Sequence, residues 1–209
     1  MARPPKITNE EILTAAREIF LKEGFSASTL AIAEKAGISE ASIFKRFATK
    51  QALFLAAIGI TENPKWVKTL SSQTPTAAIK EELIVICEQM LAFYLEVMPR
   101  VFMLMNRGDI PHPPPMPPPH LRDTYLLASF LDKAIALKHL RSCDTLTVAH
   151  MIVGPIINYI VSSNMDREMP IALPSMKHTF VEPSIFIHTL IETLWNGLAA
   201  EPTQNKSSK

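Results

Sequence analysis

The chain has 209 residues, 47% of them apolar and 20% charged, with a formal net charge of +1. That apolar share supplies a core of ordinary size and excludes a disordered chain, while six glycines are poor material for an all-β fold. The near-zero charge gives no global signal for nucleic acid or membrane, so charge has to be read locally. Residues 1–50 carry eight Lys/Arg against six Asp/Glu, and the other 159 carry thirteen against fourteen, which makes the N-terminus the basic end.

The opening residues MARPPKITNEE show no apolar run after their basic residues, so no signal peptide is read. Cys87 and Cys143 form no CxxC pair. Together these features point to a reducing, cytoplasmic setting with both thiols as small apolar side chains, a redox sensor being the alternative.

Thr8-Asn9-Glu10-Glu11 fits a capping box: the Thr8 hydroxyl takes a free backbone N–H while Glu11 reaches back. Ile12, Ala15, Ala16, Ile19 and Phe20 follow at helical spacing, and Gly24 closes the helix. Ser28 then caps a short helix through Lys35, Gly37 makes a tight turn, and Ser39 caps a second short helix through about Arg46. Leu30, Ala33, Ile38, Ile43 and Phe47 take the inward positions of this pair. A small residue at the crossing and a glycine in the turn are what a helix-turn-helix needs, its second helix entering the DNA major groove. Thr49 caps a fourth helix from Lys50. Ser42-Ile43-Phe44-Lys45 also fits the SxxK pattern of penicillin-binding enzymes, but no SDN or KTG partner motif occurs.

The run ILTAAREIFLKEGFSASTLAIAEKAGISEASIFKRFATKQALFLAAI, residues 12–58, resembles the DNA-binding domain of TetR-family (tetracycline-repressor-like) regulators. The resemblance rests on Ala15-Ala16, Phe20, Gly24-Phe25, Ile32-Ala33, Ala36-Gly37-Ile38-Ser39, Ile43-Phe44, Phe47, Lys50 and Leu53, in order and without a gap. It implies an all-α fold of about nine helices: a three-helix helix-turn-helix domain over 1–50, then a larger ligand-binding and dimerisation domain over 51–200. The remainder, 201–209, reads as a disordered tail.

On a helix starting at Ser39, residues 40, 41 and 45 project outward while Ile43 and Phe47 point to the core. Glu40 can accept from cytosine N4, Ala41 can meet a thymine methyl and Lys45 can reach guanine acceptors. Ser28, Thr29, Ser42, Arg46 and Lys50 suit phosphate, and Ser39 stands at the groove-facing helix N-terminus. The resemblance implies phosphate roles for the positions of Ser28, Ser42, Phe44 and Lys50. Phe44 departs from it, standing where the family has tyrosine and having no hydroxyl to donate.

From Thr74 the chain reads as long helices. Pro75 suits a first turn, and Ile79, Leu83, Ile86, Met90, Phe93 and Val97 form a stripe that Pro99 is expected to stop, a new helix running from Arg100 to Arg107. Residues 109–120 hold seven prolines among nine consecutive residues, and are expected to form a rigid polyproline II connection. Helices follow over 121–137, 145–162 and 184–198. The run 146–161 is judged short of a membrane span and is interrupted by His150, Pro155 and Asn158, so a buried helix is expected.

The resemblance implies that the last two helices pair with those of a second copy, giving a homodimer on a palindromic operator. Their apolar residues cover more than one face, which agrees. It also implies a small-molecule cavity lined by the middle helices, where Met90, Phe93, Tyr94, Met98, Phe102, Met103, Met105 and Tyr125 concentrate. Methionines and aromatics suit an apolar or aromatic effector, and equally an ordinary core. No cofactor is implied. Two other readings stay open: a metal or redox sensor using His112, His120, Met116 or the cysteines, and an enzyme, for which no Walker, HExxH or GxSxG motif is present.

Overall fold

A computed structural model of the chain describes residues 7–60, 64–106, 108, 119–168 and 181–198. Among these the protein is all-helical, with nine helices: α1 Asn9–Glu23, α2 Thr29–Ala36, α3 Glu40–Arg46, α4 Lys50–Ile58, α5 Lys65–Ser72, α6 Ile79–Asn106, α7 Pro119–Ala136, α8 Thr145–Glu168 and α9 Pro183–Leu198. They fall into two units. One holds α1–α4 with residues 96–106 of α6, and the other holds α5, residues 79–95 of α6, and α7–α9.

Local chemistry sets the helix ends. Thr8 and Glu11 form the reciprocal capping box, Thr8 N–H donating to Glu11 Oε2 at 2.7 Å and Glu11 N–H donating to Thr8 Oγ1 at 3.2 Å. The Thr8 N–H and the Thr8 hydroxyl, which donates to the same Oε2 at 2.9 Å, hold the Glu11 carboxyl below its ordinary range. Ser28, Ser39 and Thr49 each accept from a backbone N–H three residues on, and Asp144 and Glu182 cap α8 and α9 in the same way.

In the first unit the core forms around Ile12, Phe20, Ile32, Ile43, Leu53 and Phe54. The Phe54 ring receives Phe20 and Phe25 edge-on, at centroid distances of 5.0 and 5.2 Å. Leu104 of α6 is fully buried in the same core and Val101 packs against it. A boundary at residue 50 would separate α4 from α1, on which it packs, so the unit's N-terminal segment extends beyond it.

Three local expectations differ from the structure. Pro99 does not stop its helix, because α6 runs through it to Asn106. Proline removes one N–H from the ladder, and beyond it Val101 and Leu104 hold the helix in the core of the first unit. Leu30 faces solvent; in α2 the core positions are Ile32 and Ala33, and Leu30 lies about 200° around the helix from Ile32. Helix α5 stands where no helix was read, burying Trp66, Val67 and Leu70.

In the second unit α7 packs on α8 and α5. Helix α8 is longer than expected, and Thr145–Asn164 is long and apolar enough to cross a membrane by length and composition, so the argument from shortness does not hold. Ala149, Ile152, Val153, Ile156 and Ile160 of this helix are buried, while Leu146 and Met151 face outward. Ile185 of α9 is likewise exposed. The proline run at 109–118 and the tail at 201–209 lie outside the described residues.

Candidate nucleic-acid interface

The turn between α2 and α3 is built from three residues, Gly37, Ile38 and Ser39. Gly37 adopts φ +69, ψ +31, and its N–H donates back to the end of α2. Ile38 N–H then donates to Ala33 O at 3.0 Å, which closes the turn. An L side chain at Gly37 would meet no atom within 4 Å, so the backbone conformation, not space, demands glycine there. Ser39 caps α3, and its Oγ lies 2.8 Å from Ser42 Oγ. Ile43, fully buried, fixes α3 against Ile32 and Ala33.

The ten residues expected to face DNA divide into two groups. Ser28, Ser39, Ala41, Phe44 and Lys45 are exposed. The others are engaged within the unit to differing degrees. Thr29 Oγ1 donates to Glu40 Oε1, so these two side chains tie α2 to α3. A carboxylate held this way has less freedom to accept from cytosine than a projecting one. Arg46 Nη1 donates to Ile7 O at 2.8 Å and to Asn9 Oδ1 at 3.3 Å, which makes it a clamp on the start of α1. Lys50 Nζ lies over the Phe25 ring, 5.1 Å from its centroid. That contact orients the stem of Lys50 and leaves ammonium protons to donate elsewhere.

The outward face of α3 is therefore mainly apolar: Ala41 and Phe44 one turn apart, with Ala48 just beyond the helix end and Lys45 beside them. Phe44 is 37% exposed. The resemblance implies a phosphate role at the position of Phe44, and without a hydroxyl that contact is expected to be lost or taken over by Lys45 or Arg46. An exposed ring on the groove-facing helix is equally suited to a base edge, and aromatic contact with a thymine methyl is one of the recurrent apolar readouts.

In the second unit, Phe93, Tyr94 and Trp66 cluster with ring centroids 5.4 to 6.5 Å apart. Met90 of α6 is fully buried, and Tyr125 is 65% exposed. Met98, Phe102, Met103 and Met105 belong to the other unit, and Met105 is 57% exposed. The structure thus does not gather the eight expected effector residues in one unit. It shows instead a polar centre that sequence reasoning missed. Asp123, completely buried, accepts from Tyr94 Oη at one oxygen and from Arg122 Nε at 3.0 Å at the other.

Burial raises the Asp123 carboxyl above its ordinary range against the pull of Tyr94 and Arg122. Burial and the facing carboxyl raise the Tyr94 hydroxyl as well. The Arg122 guanidinium carbon lies 5.9 Å from the Trp66 ring centroid. The one signal in the sequence was a charged pair, Arg122-Asp123, one turn inside an apolar helix. Among the described residues no group of three His, Cys, Asp or Glu is placed to hold a metal ion; His120 is exposed, and His112 and Met116 lie outside those residues.

A capped helix, a left-handed glycine turn and a second short helix locked by a buried isoleucine define the first unit as a helix-turn-helix of the DNA-binding class. Residues 12–57 match the family model of bacterial regulatory proteins, tetR family. That match is confined to the N-terminal unit. The chain is 48% identical over 52 residues to YvkB, an uncharacterized HTH-type transcriptional regulator of Bacillus subtilis strain 168; the match covers 24% of this chain and 28% of that protein. Two solved structures resemble the fold over nearly the whole chain. SmeT, the repressor of the Stenotrophomonas maltophilia multidrug efflux pump SmeDEF, has a TM-score of 0.60 at 14% identity and is covered to 91%, with 93% of this chain. The flavonoid-responsive regulator FrrA has a TM-score of 0.53 at 21% identity and is covered to 97%, with 92% of this chain.

Proposed function

We propose that the protein is a homodimeric transcriptional repressor that binds a palindromic operator through α3 and leaves it on binding a small apolar or aromatic effector. The observation that carries this reading is the α2–α3 unit, with Ala41, Phe44 and Lys45 exposed on its second helix. The outward apolar residues Leu146, Met151 and Ile185 on α8 and α9 support self-association, since a second copy would cover them. The effector part draws on the aromatic cluster of the second unit and on the fold shared with SmeT and FrrA. SmeT is a repressor of a multidrug efflux pump and FrrA responds to flavonoids.

Helix α6 carries residues of both units, Phe93 and Tyr94 in one and Val101 and Leu104 in the other. An effector that reorders this helix would act on the core behind the helix-turn-helix. A coupling of ~1–3 kcal/mol between effector and operator is sufficient for release. The test is selection of binding sequences from random duplexes with purified protein, alongside its mass in solution. Recovery of an inverted repeat by a dimer is expected. Recovery of no motif would reject the reading.

A further inference from the structure

Trp66 is 1% exposed, and its indole Nε1 is a buried donor without an acceptor among the described residues. Buried N–H groups are almost always paired, because leaving one unpaired forfeits its hydration with nothing gained. What surrounds this donor is specific. Phe93 and Tyr94 flank the indole, with Tyr94 directed to Asp123, and the Arg122 guanidinium stands 5.9 Å from the ring. Aromatic surface, an unused donor and a nearby positive charge are the complement of a flat apolar molecule bearing an electron-rich oxygen.

We infer that Trp66 is the polar anchor of the effector site, its Nε1–H donating to a carbonyl or phenolate oxygen on an aromatic effector while Phe93 and Tyr94 contact its rings. This deepens the effector half of the proposed function and rests on it. The network behind the anchor has a defined part. Asp123 accepts from the Tyr94 hydroxyl and from the Arg122 Nε–H, so the Tyr94 proton is already committed and the Trp66 Nε1–H is the donor left for an effector. Recognition then discriminates against effectors lacking the oxygen: such a molecule leaves the indole unpaired, whereas a correct one satisfies it.

A matched pair of probes tests this, 9-fluorenone and fluorene, which share a tricyclic outline and differ in the carbonyl. Binding to the full chain is followed by the indole N–H resonances of ¹⁵N-tryptophan-labelled protein, the Trp66 signal being assigned by its loss in Trp66→Phe. Fluorenone is expected to move the Trp66 resonance downfield and to bind about tenfold more tightly than fluorene. Trp66→Phe keeps the ring surface and is expected to bind both probes alike, with a thermal unfolding transition retained. Trp195 serves as an internal reference and should not move. An unmoved Trp66 resonance with fluorenone, or equal affinity for the two probes in the parent protein, overturns the assignment and leaves the donor to bound water. The measurement uses no DNA, so an operator recovered without this shift rejects the anchor alone, and the shift without an operator rejects the repressor reading alone.

Discussion

Thymine can be stripped of its groove-facing methyl without changing its pairing, by replacing it with deoxyuridine, and this isolates the apolar face of α3. Ala41 and Phe44 are exposed there while Glu40 is tied to Thr29, so the methyl contacts should account for much of the base readout. Burying one methyl-sized group stabilises by about 0.8 kcal/mol, or about fourfold in Kd. In a symmetric operator both half-sites lose it, giving about 1.6 kcal/mol and a roughly 14-fold weaker complex. The assay is a fluorescence anisotropy titration at fixed salt, scanning each thymine of the selected operator. Phe44→Ala should bind the thymine and uracil operators equally at the position it contacts, and it should keep a cooperative unfolding transition because the ring lies outside the fully buried core. Phe44→Tyr should tighten binding to every sequence by restoring a phosphate donor, without changing the thymine-to-uracil ratio. If no uracil position weakens binding, or if Phe44→Ala retains the same sensitivity, the reasoning from the exposed stripe is wrong.

Four further outcomes follow from the same geometry. Lys50→Ala should weaken binding on all duplexes and reduce the salt slope by about one unit per protomer contact, read from Kd against salt concentration; an unchanged slope removes Lys50 from the phosphate contacts. Gly37→Ala should cost about 1–2 kcal/mol through its left-handed backbone alone. Gly59→Ala should cost more than Gly37→Ala when both are compared by denaturant titration, because its φ is +93 and a Cβ would stand 3.3 Å from Val97 Cγ2. Cys87 is fully buried with its thiol pushed up to about 12 by desolvation, so a thiol reagent at neutral pH should label Cys143 in the folded protein and both cysteines in urea. Asp123 titrates in the opposite sense to the helix caps. Its raised folded value means the native state binds the proton more tightly, so its contribution to stability declines as pH rises from the ordinary aspartate range through that value. The stability difference between parent and Asp123→Asn should therefore move against the parent as pH rises, whereas the lowered Asp144 and Glu182 contribute stability that is lost on acidification.

How much of this was legible in the sequence depends on whether the deciding forces are local. Caps and left-handed glycines act within four residues, so Thr8 with Glu11, Ser28, Gly37, Ser39 and Thr49 could be placed from sequence alone. The stop expected at Pro99 does not occur because one lost ladder bond is outweighed by burial further on, where Val101 and Leu104 pack into the core of the first unit. Helix α5 was missed since eight residues show too little periodicity to stand out, although Trp66, Val67 and Leu70 share one face. The interface shows the same division at the level of function. Exposed positions of α3 follow from helical geometry, but the engagement of Glu40 by Thr29 and of Arg46 by Ile7 and Asn9 joins residues 11 to 39 positions apart. Such contacts change a residue's role without changing its type. The Trp66 anchor is the extreme case: its unused donor is a property of what three helices bring around it, since Tyr94, Arg122 and Asp123 come from α6 and α7 and the indole from α5. A chain can thus display its DNA-reading face in one contiguous stretch and still conceal its ligand chemistry. The first is written on a short helix pair, and the second exists only once distant helices have packed.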